Sequence, residues 1–190
     1  MKNNTFFSLS LIAICCLSAI ALCGCGYTTR SMIANQYQTI YIKPFLNKVD
    51  ITQEDYSANK YRIYRPMLET EITRKVTNKY LFDGNLKPVK DDSADLVLKG
   101  ELVEYRKDPL SYTNDNNDIT EYRINIYVDL SLWDKRENKL VWEEKRFNGN
   151  YSYYTSFAAN SAIKVSEDSA VSNAVADLAQ RIVERTVEQW

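Results

Sequence analysis

The sequence predicts an α+β domain: a mostly antiparallel sheet of about four to five strands, two helices packed on one face, in the order strand-helix-strands-helix. Three observations lead there. Tyr122, Ile124, Ile126, Val128, Leu130 and Leu132 alternate without a break against mostly polar neighbours, the period-two pattern of a strand with one buried face. Leu68, Ile72, Val76 and Tyr80 recur every fourth position, and Val171, Val175, Leu178, Ile182 and Thr186 repeat at helical spacing. Turn chemistry separates these runs: Asp83-Gly84-Asn85 follows the first stripe, and an Asn- and Asp-rich stretch precedes the alternating run.

Each element has its own reason. Thr39-Ile40-Tyr41-Ile42-Lys43 is a β-branched and aromatic run stopped by Pro44, a first strand. Residues 46–61 lack periodicity and read as a polar connection. Pro66 suits the first turn of a helix that runs to about residue 80. Residues 86–89 make a short strand and 94–106 a longer one, with Leu96, Leu98, Gly100 and Leu102 on one face. Residues 108–118 read as a loop and 134–138 as a hairpin turn. The returning strand, 139–154, changes phase: Leu140 and Trp142 occupy one parity, Phe147, Gly149, Tyr151 and Tyr153 the other. A bulge near Glu144 reconciles them. Ser166 caps the final helix, with Glu167 and Asp168 favourable in its first turn.

The first residues read as an address. Lys2 begins a short positive region, and residues 6–22 are mostly apolar and uncharged. Leu22-Cys23-Gly24-Cys25 has the form of a lipobox, an aliphatic residue and two small ones before the cysteine that takes lipid. The expected organisation is therefore a lipoprotein signal peptide over 1–24, a lipid-anchored tether over 25–38, and a single domain over 39–190. Two or three acyl chains on Cys25, at ~0.8 kcal/mol per buried methylene, would hold the chain stably to a membrane. Gly26, in place of Asp, after the acylated cysteine implies outer-membrane delivery. The alternatives are a plain secretory signal with incidental cysteines and a retained helical anchor. All four cysteines, Cys15, Cys16, Cys23 and Cys25, lie in the first 25 positions, so cleavage before Cys25 leaves no thiol for an internal disulfide.

Composition narrows the chemistry. The 190 residues contain no histidine, which excludes Ser-His-Asp and Cys-His catalysis and the commonest ligand of zinc, copper and iron. Twenty-four basic against 25 acidic side chains provide no global attraction to nucleic acid. No phosphate-binding glycine loop, nucleophile elbow or metal-ligand spacing occurs, so neither an enzyme nor a metal or other cofactor is expected. The acidic pairs Asp91-Asp92, Glu143-Glu144 and Glu167-Asp168 read as a loop, a strand edge and a helix start. A carboxylate-based hydrolase is the third-ranked reading.

Tyrosine is in excess: all 14 follow residue 25. Many fall at the outer parity or in connections: Tyr41, Tyr61, Tyr64, Tyr105, Tyr112, Tyr127, Tyr151, Tyr153 and Tyr154. They suit either cross-strand pairing on a wet sheet face or a protein interface. Arg106 and Lys107 end the long strand, and Lys164 precedes the last helix. Such cations are either solvated or partners of a lipid phosphate.

Several strings together resemble one family. They are Cys25-Gly26-Tyr27, Lys43-Pro44-Phe45 with Asn47, Ala94-Asp95-Leu96-Val97-Leu98-Lys99-Gly100, Glu121-Tyr122-Arg123, Leu140-Val141-Trp142-Glu143-Glu144 and Phe147-x-Gly149. In this order, behind a lipobox, they are similar to the lipopolysaccharide-assembly lipoprotein family, LptE. The resemblance covers the chain from Cys25 onward and does not assign residues 48–64. It implies a small α+β outer-membrane lipoprotein that plugs and helps assemble a large β-barrel, LptD, and contacts lipopolysaccharide on its way to the outer leaflet. It implies no covalent catalysis. Because the family's lipid contacts are basic groups near strand-end loops, it points to Lys164 first, then Arg106 and Lys107. The alternative is an accessory lipoprotein of another envelope machine, such as a peptidoglycan-synthase activator.

Overall fold

A computed structural model describes residues 36–50, 61–62, 65–91, 93–113, 118–158 and 163–187. The expected signal peptide, Cys25 and most of the expected tether lie outside the described residues. The described elements run β1 (Thr39–Ile42), β2 (Leu46–Asn47), β3 (Tyr61–Arg62), α1 (Leu68–Asp83), β4 (Lys87–Val89), β5 (Leu96–Tyr112), β6 (Ile119–Asp134), β7 (Lys139–Tyr154) and α2 (Glu167–Val187).

The strands form one seven-stranded sheet in the order β4-β1-β5-β6-β7, with β2 and β3 also pairing with β5. The α+β class is as expected, but the sheet is mixed and has more strands. β1 pairs in parallel with both β4 and β5, and β2 pairs in parallel with β5. The reason is connectivity. A helix between two strands returns the chain to the end where it started, so the strand after α1 runs parallel to the one before it. The extra strands, β2 and β3, are two residues each, too short for any period to be legible.

β5, β6 and β7 are 17, 16 and 16 residues long and form the antiparallel centre. β5 runs past Arg106 to Tyr112, into residues read as a loop. Tertiary pairing overrides local turn chemistry there, and Pro109 is tolerated beside a register shift between Pro109 and Ser111. The phase change in β7 is a bulge: Val128 pairs with Phe147 and Leu130 with Glu144, so Lys145 and Arg146 both face Asp129. Arg146 takes a left-handed φ of 52°, and its amide donates to Asp129 Oδ1 at 2.8 Å.

Both helices lie on the same sheet face and run side by side in the same direction. At their starts Arg65 Nη1 is 2.9 Å from Asp168 Oδ1; in their last turns Tyr80 and Thr186 meet. The predicted stripes are the buried ones. Leu68, Ile72, Val76 and Tyr80 of α1 are buried, as are Val171, Val175, Leu178, Ile182 and Thr186 of α2. α1 begins at Leu68 rather than at Pro66, because Met67 sits at φ 61°; it ends at Gly84, whose φ of 77° lets its amide reach the Tyr80 carbonyl. Ser166 caps α2 through its Oγ, which accepts from the Ser169 amide at 3.2 Å.

Two glycines set the spacing of the layers. A Cβ on Gly149 would collide with the backbone and Cβ of Leu178, so only glycine lets α2 settle on β7. A Cβ on Gly100 would meet the ring of Phe45. The packed chain also begins before residue 39. Tyr37, counted with the tether, is buried, and its hydroxyl donates to Asp134 Oδ2 at 2.8 Å.

Candidate functional site

Alternation along β5 sends Arg106 and Lys107 to opposite faces of the sheet. Lys107 faces the helix side. Its Nζ is 2.6 Å from Glu167 Oε2 at the start of α2 and 4.4 Å from the centroid of the Tyr122 ring. Tyr153 donates from its hydroxyl to the same Glu167 oxygen at 3.2 Å, and its ring stacks on Tyr122 at 6.0 Å. Tyr105 is buried beside them. Burial, helped by the Glu167 charge, pushes its hydroxyl up to about 12; burial and then Glu167 raise Tyr153 likewise. These phenols stay protonated donors at any physiological pH.

Lys164 lies at the same end. It bridges to Tyr154, the last residue of β7, and its Nζ donates to the Ser156 carbonyl at 3.3 Å. Its side chain is exposed, and so are Ile163 beside it and Phe157 one residue beyond Ser156. The β7–α2 connection thus exposes an ammonium group and two apolar side chains.

Arg106 is elsewhere, in a network on the outer sheet face. Its Nε is 2.8 Å from the Asp108 carboxylate and its Nη1 3.3 Å from Glu104 Oε1. Its Nη2 donates to the Tyr127 hydroxyl at 3.2 Å. Glu104 is buried and also pairs with Arg146, whose guanidinium lies 4.6 Å from the Tyr127 ring centroid. Asn125 donates to Asp108 at 2.7 Å. Arg106 is thus matched by two carboxylates, whereas Lys164 keeps an exposed ammonium. Of the three cations picked out from sequence, the fold brings Lys107 and Lys164 to one end and leaves Arg106 on the opposite face.

Sequence reasoning missed the partners that define these groups: Glu167, Tyr153 and Tyr122 around Lys107, and Glu104 with Tyr127 around Arg106. By parity Glu104 and Arg106 belong with the inner set Leu96 to Leu102, and the register shift between Leu102 and Glu104 moves both to the outer face opposite Tyr127. Two of the acidic pairs are taken up by cations in the fold, while Asp91 accepts from the amide and hydroxyl of Ser93. Glu143 pairs with Lys145 at 2.8 Å, Glu144 with Arg185 at 3.0 Å, Glu167 with Lys107 and Asp168 with Arg65. Asp92 lies outside the described residues. Among the described residues no cluster of acidic side chains could hold a metal ion, and no helix is long and apolar enough to cross a membrane.

Fold and surface together define a class: an α+β domain with two parallel helices on one face of a mixed sheet and a charged face opposite, while Tyr105 and Tyr153, read from sequence as outer positions, are buried on the helix side. The family model LptE, lipopolysaccharide-assembly, matches residues 37–186. The chain belongs to the LptE lipopolysaccharide-assembly family. Comparison with curated proteins finds no match. Among solved structures, the chain is similar to a hypothetical protein from Chlamydia trachomatis, at 13% identity and a TM-score of 0.47, over 79% of this chain and 95% of that one. It is also similar to the rare lipoprotein B of Shewanella oneidensis, at 13% identity and a TM-score of 0.43, over 77% and 92%. A third is an uncharacterized lipoprotein B of Nitrosomonas europaea, at 11% identity and a TM-score of 0.43, over 87% and 90%. At these levels none of the three bears on function.

Proposed function

We propose that this chain is an outer-membrane lipoprotein, anchored through acylated Cys25, that plugs and helps assemble an LptD-like β-barrel and contacts lipopolysaccharide during its insertion into the outer leaflet. The observation that carries the reading is its membership of the lipopolysaccharide-assembly family over residues 37–186. The chemistry of the surface agrees with a binding role. The pairs Glu143-Glu144 and Glu167-Asp168 are engaged by cations.

In this reading Lys164 is the leading lipid contact. An exposed ammonium in a connection that also exposes Ile163 and Phe157 suits an amphiphile, pairing with a phosphate while apolar side chains meet acyl carbon. Lys107 is held close behind by Glu167 and is a second contact at the same end. Arg106, matched by Asp108 and Glu104, is the weakest of the three.

Affinity purification of the tagged full chain from outer membranes tests the proposal. One large barrel protein in about equal amount, and lipopolysaccharide lost from the cell surface on depletion, are the expected results. Recovery without any barrel partner would overturn it, and altered wall synthesis on depletion would favour the peptidoglycan-synthase reading.

A further inference from the structure

The chain enters the domain at a fixed point, at the end of the sheet opposite Lys164. The Tyr37 hydroxyl donates to Asp134 Oδ2 at 2.8 Å, and the Arg136 guanidinium lies 5.0 Å from the Tyr37 ring centroid. Arg136 Nη2 also donates to the Gln36 carbonyl at 2.9 Å. Eleven residue steps separate Cys25 from Gln36, a reach of at most about 40 Å when fully extended. Lipid on Cys25 would keep this end of the sheet within that reach of a membrane.

α1 ends at the same place. The amide of Lys87 donates to the Gln38 carbonyl at 2.8 Å, so the short connection through Gly84 sets the last turn of α1 beside the entry point. That turn buries Tyr80 and exposes the next two side chains, Leu81 at 58% and Phe82 at 88%. Among the described residues no other large apolar side chain is as exposed as Phe82. Cations border the pair: Arg74 and Lys87 are exposed, Lys75 and Lys79 half-buried. Among the described residues none of the four forms an ion pair. No acidic residue lies between Glu71 and Asp83, and Asp83 is turned to its own loop, where it accepts from the Asn85 amide at 3.3 Å and from its side chain at 2.9 Å.

Apolar tips with long cationic side chains set behind them suit the interface of a bilayer. The tips reach the upper acyl carbons, and the ammonium stems reach back to the headgroup level. Such a surface meets the interface as a whole and selects no particular headgroup. We propose that the last turn of α1 is a second membrane contact: Leu81 and Phe82 insert into the phospholipid leaflet that carries the Cys25 acyl chains, and so fix which end of the domain faces the membrane. The inference rests on the Cys25 anchor of the proposed function and needs neither the barrel nor lipopolysaccharide.

The processed, acylated chain is reconstituted into vesicles of phosphatidylethanolamine and phosphatidylglycerol, free of lipopolysaccharide and of any barrel. A nitrobenzoxadiazole label is placed by Asn78→Cys, one turn before Phe82, and in a separate protein by Lys164→Cys at the opposite end. Cleavage before Cys25 leaves no other thiol to react. The readout is quenching by doxyl groups carried high on the acyl chains. The label at position 78 should be quenched and its emission shifted to the blue, while the label at 164 behaves as in water. Leu81→Ser with Phe82→Ser should abolish that quenching. Both residues are exposed, so the double variant should keep the wild-type denaturation midpoint. It should also still float with the vesicles, because the acyl chains hold it. No more quenching at 78 than at 164, or unchanged quenching in the folded double variant, would overturn the docking and leave the anchor standing. A wild-type chain that fails to float would overturn the anchor and the docking with it.

Discussion

The hydroxyl of Tyr80 donates to Thr186 Oγ1 at 2.7 Å in the buried seam between the two helices, and Thr186 in turn donates to the Ile182 carbonyl at 2.9 Å. Residues 106 positions apart thus close one hydrogen-bonded chain at the last turns of α1 and α2. Burial pushes the Tyr80 hydroxyl far up, so it remains a donor. Tyr80→Phe keeps the ring and the Thr186 donor bond and removes one buried hydrogen bond. Its expected cost is about 1 kcal/mol, against about 3–5 kcal/mol for Tyr80→Ala, which also empties the seam. Chemical denaturation midpoints of the two variants check this.

Gly149→Val should separate α2 from β7. The added Cβ meets the backbone of Leu178, which cannot swing aside as a side-chain tip could. A loss of about 1–3 kcal/mol is expected, read by denaturation.

Asp95 fastens the start of β1 to the start of β5. It accepts the amides of Gln38 and Thr39 at 2.8 and 3.0 Å, and these bonds, the Gln38 one foremost, hold its carboxyl below the ordinary value of 3.8. A depressed folded-state pKa contributes stability at pH values above 3.8 and loses it as the pH falls through the folded value. Asp95→Asn should therefore be less stable than the wild type at neutral pH, and the gap should close on acidification below 3.8. Paired unfolding curves across acidic pH measure it.

Lys164→Asp reverses the charge at the exposed β7–α2 connection. Because, among the described residues, its Nζ is held by the Ser156 carbonyl alone, stability should change by less than about 0.5 kcal/mol. Lipopolysaccharide binding should weaken while the barrel is still recovered in pull-downs. Unchanged binding would remove Lys164 from the contact.

Cys25→Ala should leave an unprocessed, unlipidated precursor in the inner membrane. Labelling with a radioactive fatty acid and the mobility of the band on a gel report the outcome, and normal processing would refute the lipobox.

The long-period signals were legible because they are local. The alternating run of β6 from Ile124 onward and the stripes of α1 and α2 bury the residues picked out for burial, with Tyr122 half-buried, since periodicity along one segment already states which side faces the core. The β7 bulge was legible too, as a parity change visible within sixteen residues. Parallel pairing of β1 was not. It depends on where α1 deposits the chain, and no residue of β1 records that.

By itself, the sequence determined the class of fold, the buried stripes, the absence of histidine chemistry and, by resemblance, the family that the match over residues 37–186 shows. Only the tertiary structure decided the electrostatics. Whether Arg106 meets Asp108, Lys107 meets Glu167, or Lys99 covers the Trp133 ring depends on register and on bulges that shift it by a residue. A one-residue slip reverses the face every side chain occupies, so the charge pattern of a surface is settled only when the strands have paired.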